Sequence, residues 1–121
     1  MQEAFENAAL AMFETMTDTS KVAQTHEETL EMEAEDQYAL LYNWLETLLI
    51  KFETEGMLFS RFTVSNWRES PEGFKFEAKI FGEKFDPKKH PQKVGVKAVT
   101  YHLMMVIKEN DRVILEFILD I

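Results

Sequence analysis

Residues 36–64 read DQYALLYNWLETLLIKFETEGMLFSRFTV, and the change of period inside this stretch decides the fold. In its first part Leu41, Trp44, Leu45, Leu48, Leu49 and Phe52 recur at three- and four-residue intervals, the period of a helix with one buried face. Asp36 supplies a side-chain oxygen to cap the first turn, and Gly56 supplies the stop. From Met57 onward the period becomes two. Arg61-Phe62-Thr63-Val64 and Phe74-Lys75-Phe76-Glu77-Ala78-Lys79-Ile80 alternate apolar and polar side chains and are rich in β-branched and aromatic residues. Ser70-Pro71-Glu72-Gly73 between them is a turn signal, so the stretch predicts a helix followed by a β-hairpin.

Working outward towards the start, Phe5, Ala8, Ala9, Met12, Phe13 and Met16 form a second helical stripe over residues 2–16. This helix opens at the first residue without a cap, which reads as the loss of an upstream element. Residues 16–21, Met-Thr-Asp-Thr-Ser-Lys, mark a loop, because their short polar side chains bond to nearby backbone. Over residues 29–34, Leu30, Met32 and Ala34 alternate with Glu31 and Glu33, predicting a half-buried strand with its glutamates in water. Towards the end, Asp86-Pro87-Lys88-Lys89-His90-Pro91 is a turn, and residues 94–107 are mostly β-prone. After a last turn at Glu109-Asn110-Asp111-Arg112, residues 113–121 carry only Glu116 and Asp120 as polar side chains, predicting a central strand covered on both faces. The order predicts one α+β domain over residues 1–121, with two helices packed on one face of a mostly antiparallel sheet.

Charge narrows the function. The chain has 22 acidic against 13 basic side chains, a formal charge of -9 that repels a phosphate backbone, so direct nucleic-acid binding is not expected. The absence of cysteine removes disulfides, thiolate zinc sites and thiol catalysis, and fits a cytosolic setting, or also a nuclear one in a eukaryote. The longest apolar run, Ala8 to Phe13, is far too short to span a membrane. Four glycines, at 56, 73, 82 and 95, build no phosphate-cradling loop.

His26, His90 and His102 belong to no readable metal-ligand motif, and a structural or exposed role is the plainer reading for each. The acidic cluster Glu27, Glu28, Glu31, Glu33, Glu35 and Asp36, with Glu69 and Glu72, reads as a solvated strand face and turn edges, or else as a patch that docks on a basic partner. Trp44, Phe52 and the run Leu103 to Met105 read as core. The chain end differs. The Asp120 carboxylate and the free Ile121 carboxylate lie close together, and two anions at the end of a strand repel unless a cation joins them. A hard divalent cation, calcium or magnesium, suits such oxygen donors; the simpler alternative is a terminus that frays into solvent. A small hydrolase using His102 near Asp120 is a further alternative, for which no nucleophile is readable.

Several segments carry a family resemblance. They are Glu3-Ala4-Phe5-Glu6-Asn7-Ala8-Ala9, Met16-Thr17-Asp18-Thr19, Ala34-Glu35-Asp36 with Trp44-Leu45, and Phe52-Glu53-Thr54-Glu55-Gly56. To these add Gly82-Glu83-Lys84-Phe85-Asp86-Pro87 with Lys89-His90, Val96-Lys97-Ala98-Val99-Thr100-Tyr101-His102, and Leu119-Asp120-Ile121. In order and spacing they resemble archease, the small acidic activator of the tRNA-splicing RNA ligase. The resemblance implies an accessory protein, not a stand-alone enzyme, that promotes guanylylation and repeated turnover of that ligase in tRNA splicing. It implies a divalent metal held by Asp120 and Ile121, with Lys97, Thr100, Tyr101 and His102 as weaker candidates near the site. It further implies that the family's first strand, which carries a His-Thr-Ala-Asp type motif and a metal-binding aspartate, is absent, and that Met1 stands where the connection into the helix would be. On that expectation the cation binds more weakly, a sheet edge is unpaired and part of the first helix's apolar face is exposed. A metal-independent acidic interaction or chaperone-like module is the alternative reading.

Overall fold

The computed structural model describes the backbone of residues 1–121 and every side chain except that of His102. The elements are α1 (Gln2–Met16), a 3-10 turn (Thr19–Lys21), β1 (His26–Ala34), α2 (Gln37–Glu55), β2 (Met57–Ser70), β3 (Gly73–Lys84), β4 (Ala98–Glu109) and β5 (Arg112–Asp120). This is the expected α+β domain with antiparallel pairing throughout, but the single expected sheet is divided into β1-β3-β2 and the hairpin β4-β5.

Both helix stripes are buried as their spacing requires, except that Phe52, near the end of α2, is only half-buried. Asp36 caps α2 by accepting the Ala39 N–H at 2.8 Å. Gly56 ends it in the left-handed region at φ 67°, where a residue without a Cβ avoids strain. All six stripe residues of α1 are buried, so the expectation that part of its apolar face is exposed is corrected. That face is covered by β2, α2 and β5. The fully buried Trp44 joins the helices, its indole Nε1–H donating to the Phe5 carbonyl at 3.0 Å. Edge-to-face contacts of Phe76 with Phe5 and Trp44 bind both helices to β3.

The hairpin β2-β3 turns between Ser70 and Gly73 as predicted. Gly82 lets β2 approach β3 closely: a Cβ there would lie 1.9 Å from the Leu58 carbonyl oxygen. β1 begins at His26, earlier than its alternation indicates, because His26-Glu27-Glu28 pair with Gly82-Phe81-Ile80 through backbone bonds that do not require apolar side chains.

Three expectations for the last third are corrected. β4 begins at Ala98 instead of residue 94, because the Lys93 and Val94 N–H groups donate to the Met16 and Thr15 carbonyls at the end of α1. Of Leu103, Met104 and Met105 only Met104 is in the core, while Leu103 is 66% exposed and Met105 is exposed beside it. The cause is a register break between Thr100 and Met105, where Leu103 adopts φ 54°. Finally, β5 is no doubly covered central strand. Leu115, Phe117 and Leu119 pack partly buried against the core, Ile118 is exposed, and among the described residues β4 is its one strand partner.

Candidate functional site at the terminal strand

The end of β5 is held by backbone bonds rather than left to fray. Ala98 lies opposite Asp120 in the β4-β5 ladder, and the Lys97 N–H donates to the Asp120 carbonyl at 2.6 Å. Through Lys93 and Val94 the same segment is bonded to the last carbonyls of α1, at 3.0 and 3.2 Å. Lys93 adds an ion pair to Glu14 at 3.2 Å. The result is a strand end whose backbone is fixed while the Asp120 side chain and the 64% exposed Ile121 face solvent.

Of the other sequence candidates, Lys97 is exposed next to this end, and Thr100 pairs with Ile118 two rungs further in on the same face as Ala98. Tyr101 is drawn elsewhere. Its ring stacks on Tyr42 of α2, centroids 4.3 Å apart and planes 13° from parallel. Burial first, then the charges of Asp36 and Glu46, push the Tyr101 hydroxyl above the usual tyrosine pKa. A hydrogen bond with Glu46 does the same for Tyr42. The His102 side chain lies outside the described residues.

The donor set can be weighed against the expected cation. Asp120 and the terminus offer carboxylate oxygens, the right chemistry for calcium or magnesium. Among the described residues, however, no three His, Cys, Asp or Glu side chains gather to hold an ion. Two carboxylates supply fewer oxygens than the roughly six to eight that calcium takes, so the remainder must come from water or from another molecule.

A second polar cluster joins Glu83, which the sequence offers only within the family resemblance, to Lys89 and His90 of the turn after it. Glu83 Oε2 accepts from the Ala23 N–H at 2.7 Å, and pairs with Lys89 Nζ at 2.7 Å and with His90 Nε2 at 2.8 Å. His90 is buried, and its Nδ1 accepts the Asp86 N–H at 2.9 Å, which leaves Nε2 as the nitrogen donating to Glu83. The Lys89 ammonium first, then the Ala23 N–H, hold the Glu83 carboxyl down at about 2. Every partner here is internal, so the cluster fixes the loop after β3 onto residue 23. A glutamate and a histidine flanking an Asp-Pro turn are the readable signal for it.

Fold and strand end together define a small acidic α+β domain with an exposed Asp120 on a backbone-pinned strand end. The sequence profile of the Archease protein family (MTH1598/TM1083) matches residues 1–121. The protein archease of Sulfurisphaera tokodaii is 45% identical over 121 residues, covering 100% of this chain and 85% of that one. The protein archease of Methanothermobacter thermautotrophicus is 42% identical, with the same coverage of 100% and 85%. The solution structure of Methanobacterium thermoautotrophicum protein 1598 superposes with a TM-score of 0.80 at 42% identity, covering 98% of this chain and 82% of that one. The chain belongs to the archease family.

Proposed function

We propose that this chain is an accessory protein that activates the tRNA-splicing RNA ligase, promoting its guanylylation and multiple turnover in a cytoplasmic setting. The observation that carries the reading is family membership over the whole chain, joined to carboxylates presented at a backbone-pinned strand end. The acidic tip lies beside the ligase active site, where Asp120 and the Ile121 carboxylate are the groups that would hold a divalent cation jointly with oxygens of the ligase. Such a cation, when bound, supplies charge neutralisation for the carboxylates and for a nucleotide phosphate. The part played by this chain is positional: the Lys97 N–H fixes the Asp120 backbone, and the exposed Lys97 side chain adds a cation near where a phosphate would approach. The charge of -9 steers the chain to a basic protein surface and away from bare RNA.

The test is multiple-turnover RNA ligation with limiting ligase, with and without divalent metal. Arms with Asp120→Ala, with Ile121 deleted, and with a family-type strand added upstream complete it. Activation by the chain that is lost in the first two variants, while their circular dichroism and melting temperature are retained, supports the reading. Retained activation in both variants overturns the assigned tip. Activation insensitive to chelator favours the metal-independent docking module instead.

A further inference from the structure

The outward face of the β4-β5 hairpin is the part of the molecule with the least structural reason to look as it does. Leu103 is 66% exposed, and Met105 (47%) and Ile118 (39%) are exposed with it. Met105 lies opposite Glu116, Thr100 opposite Ile118 and Ala98 opposite Asp120, so these pairs share one face of the ladder. An apolar patch therefore runs along the hairpin and ends at the Asp120 and Ile121 carboxylates, with Glu116 on its other side. Scattered exposed apolar residues need no explanation, but a contiguous group on one face does. Leu103 adds a second oddity. It sits in the left-handed region at φ 54°, a conformation that disfavours a leucine, inside the register break between Thr100 and Met105. The break leaves Met104 in the core and puts both of its neighbours into solvent. Strain spent on exposing an apolar side chain is the pattern of a contact surface.

We infer that this face is a protein-docking surface, and that its occupant is an apolar socket on the partner bordered by lysine or arginine. The apolar centre and acidic rim dictate both parts of that chemistry: desolvation of Leu103 and Met105 supplies the affinity, and Glu116, Asp120 and the terminus select a basic rim. The inference rests on the ligase reading only for the identity of the partner, and it places the contact beside the tip that the reading assigns.

The experiment uses the full chain and purified ligase, with affinity measured calorimetrically at several salt concentrations. Leu103→Asn combined with Met105→Thr removes the apolar centre, and asparagine tolerates the left-handed conformation better than leucine, so the variant folds. Its melting temperature is the check. Glu116→Gln tests the rim, and Thr63→Ala, exposed on the other sheet, is the control. The expected result is affinity weakened roughly tenfold or more in the double variant. Glu116→Gln flattens the salt dependence, and Thr63→Ala changes nothing. Tight ligase binding that is unchanged in the double variant overturns this surface and leaves the ligase reading standing. No binding by the unmodified chain overturns the ligase reading together with this occupant. Concentration-dependent dimerisation abolished by the double variant would replace the occupant with a second copy, and loss of binding once a strand is added upstream would replace it with that strand. Either result overturns the inference.

Discussion

The ring of His90, itself buried, donates through Nε2 to Glu83 across 2.8 Å, while its Nδ1 accepts the Asp86 N–H, so one imidazole closes the loop that follows β3. The carboxylate end of that contact is held below the usual glutamate range by its partners.

Glu83 is held at about 2, below the ordinary glutamate value of 4.5, with Lys89 as the largest cause. A folded-state pKa below the unfolded one gives stability that is present above the unfolded value and lost as pH falls through the folded one. The window is therefore pH 4.5 down to 2. Denaturant unfolding across this range should show a loss on the order of 2 kcal/mol that Glu83→Gln largely removes. A wild-type slope that survives in the variant would assign the acid sensitivity to other carboxylates.

At the alkaline end the stack of Tyr42 on Tyr101 should titrate late. Both hydroxyls lie above 10.0, Tyr42 chiefly through Glu46 and Tyr101 chiefly through burial. A raised folded pKa means that their contribution is intact below the unfolded value and lost as pH rises through the folded one. Absorbance titration should show two hydroxyls titrating above the ordinary tyrosine value, and Glu46→Gln should bring Tyr42 down. Ordinary titration of both Tyr42 and Tyr101 would contradict the stack.

Gly82→Ala should be among the most damaging single-methyl additions to the chain. The new carbon meets backbone, Leu58 oxygen at 1.9 Å, which cannot move aside without breaking the β2-β3 register. A loss of about 3 kcal/mol or more is expected, read as a shifted denaturation midpoint. By contrast Gly56→Ala meets no atom within 4 Å and suffers only its positive φ, so it should lose about 1 kcal/mol.

Thr17 should behave in the opposite sense. It is 2% exposed and its Oγ1 has no hydrogen-bond partner among the described residues, so the isosteric Thr17→Val removes a desolvated hydroxyl without opening a cavity. Thermal unfolding should show a gain of about 1 kcal/mol, whereas a lower midpoint would mean that the hydroxyl is satisfied by water.

How much was legible in the sequence depends on whether each element has two distinguishable sides. α1 and α2 do: Phe5 to Met16 and Leu41 to Leu49 are apolar on one side and polar on the other, so stripe and burial coincide. Leu103-Met104-Met105 has no polar member, and a wholly apolar run does not say which side chain turns outward. That information lies in the register break, a tertiary feature. β5 was misjudged for the same reason, since an apolar strand reads as central whether or not a second layer covers it. In the candidate site, Asp120 and Ile121 are neighbours in the chain, so their proximity needs no fold, and the metal role given to them rests on the resemblance. The bond from Lys97 to Asp120 is not legible, because twenty-two residues and a whole hairpin lie between them.

The segment from Lys93 to Lys97 bonds at one end to the last turn of α1 and at the other to the Asp120 carbonyl. The terminal carboxylates are thereby surveyed from the first helix rather than from their own strand, as a pointer takes its bearing from the pivot. Whatever seats or unseats the end of α1 will move the tip with it, so a partner gripping that helix could aim the carboxylates without touching them.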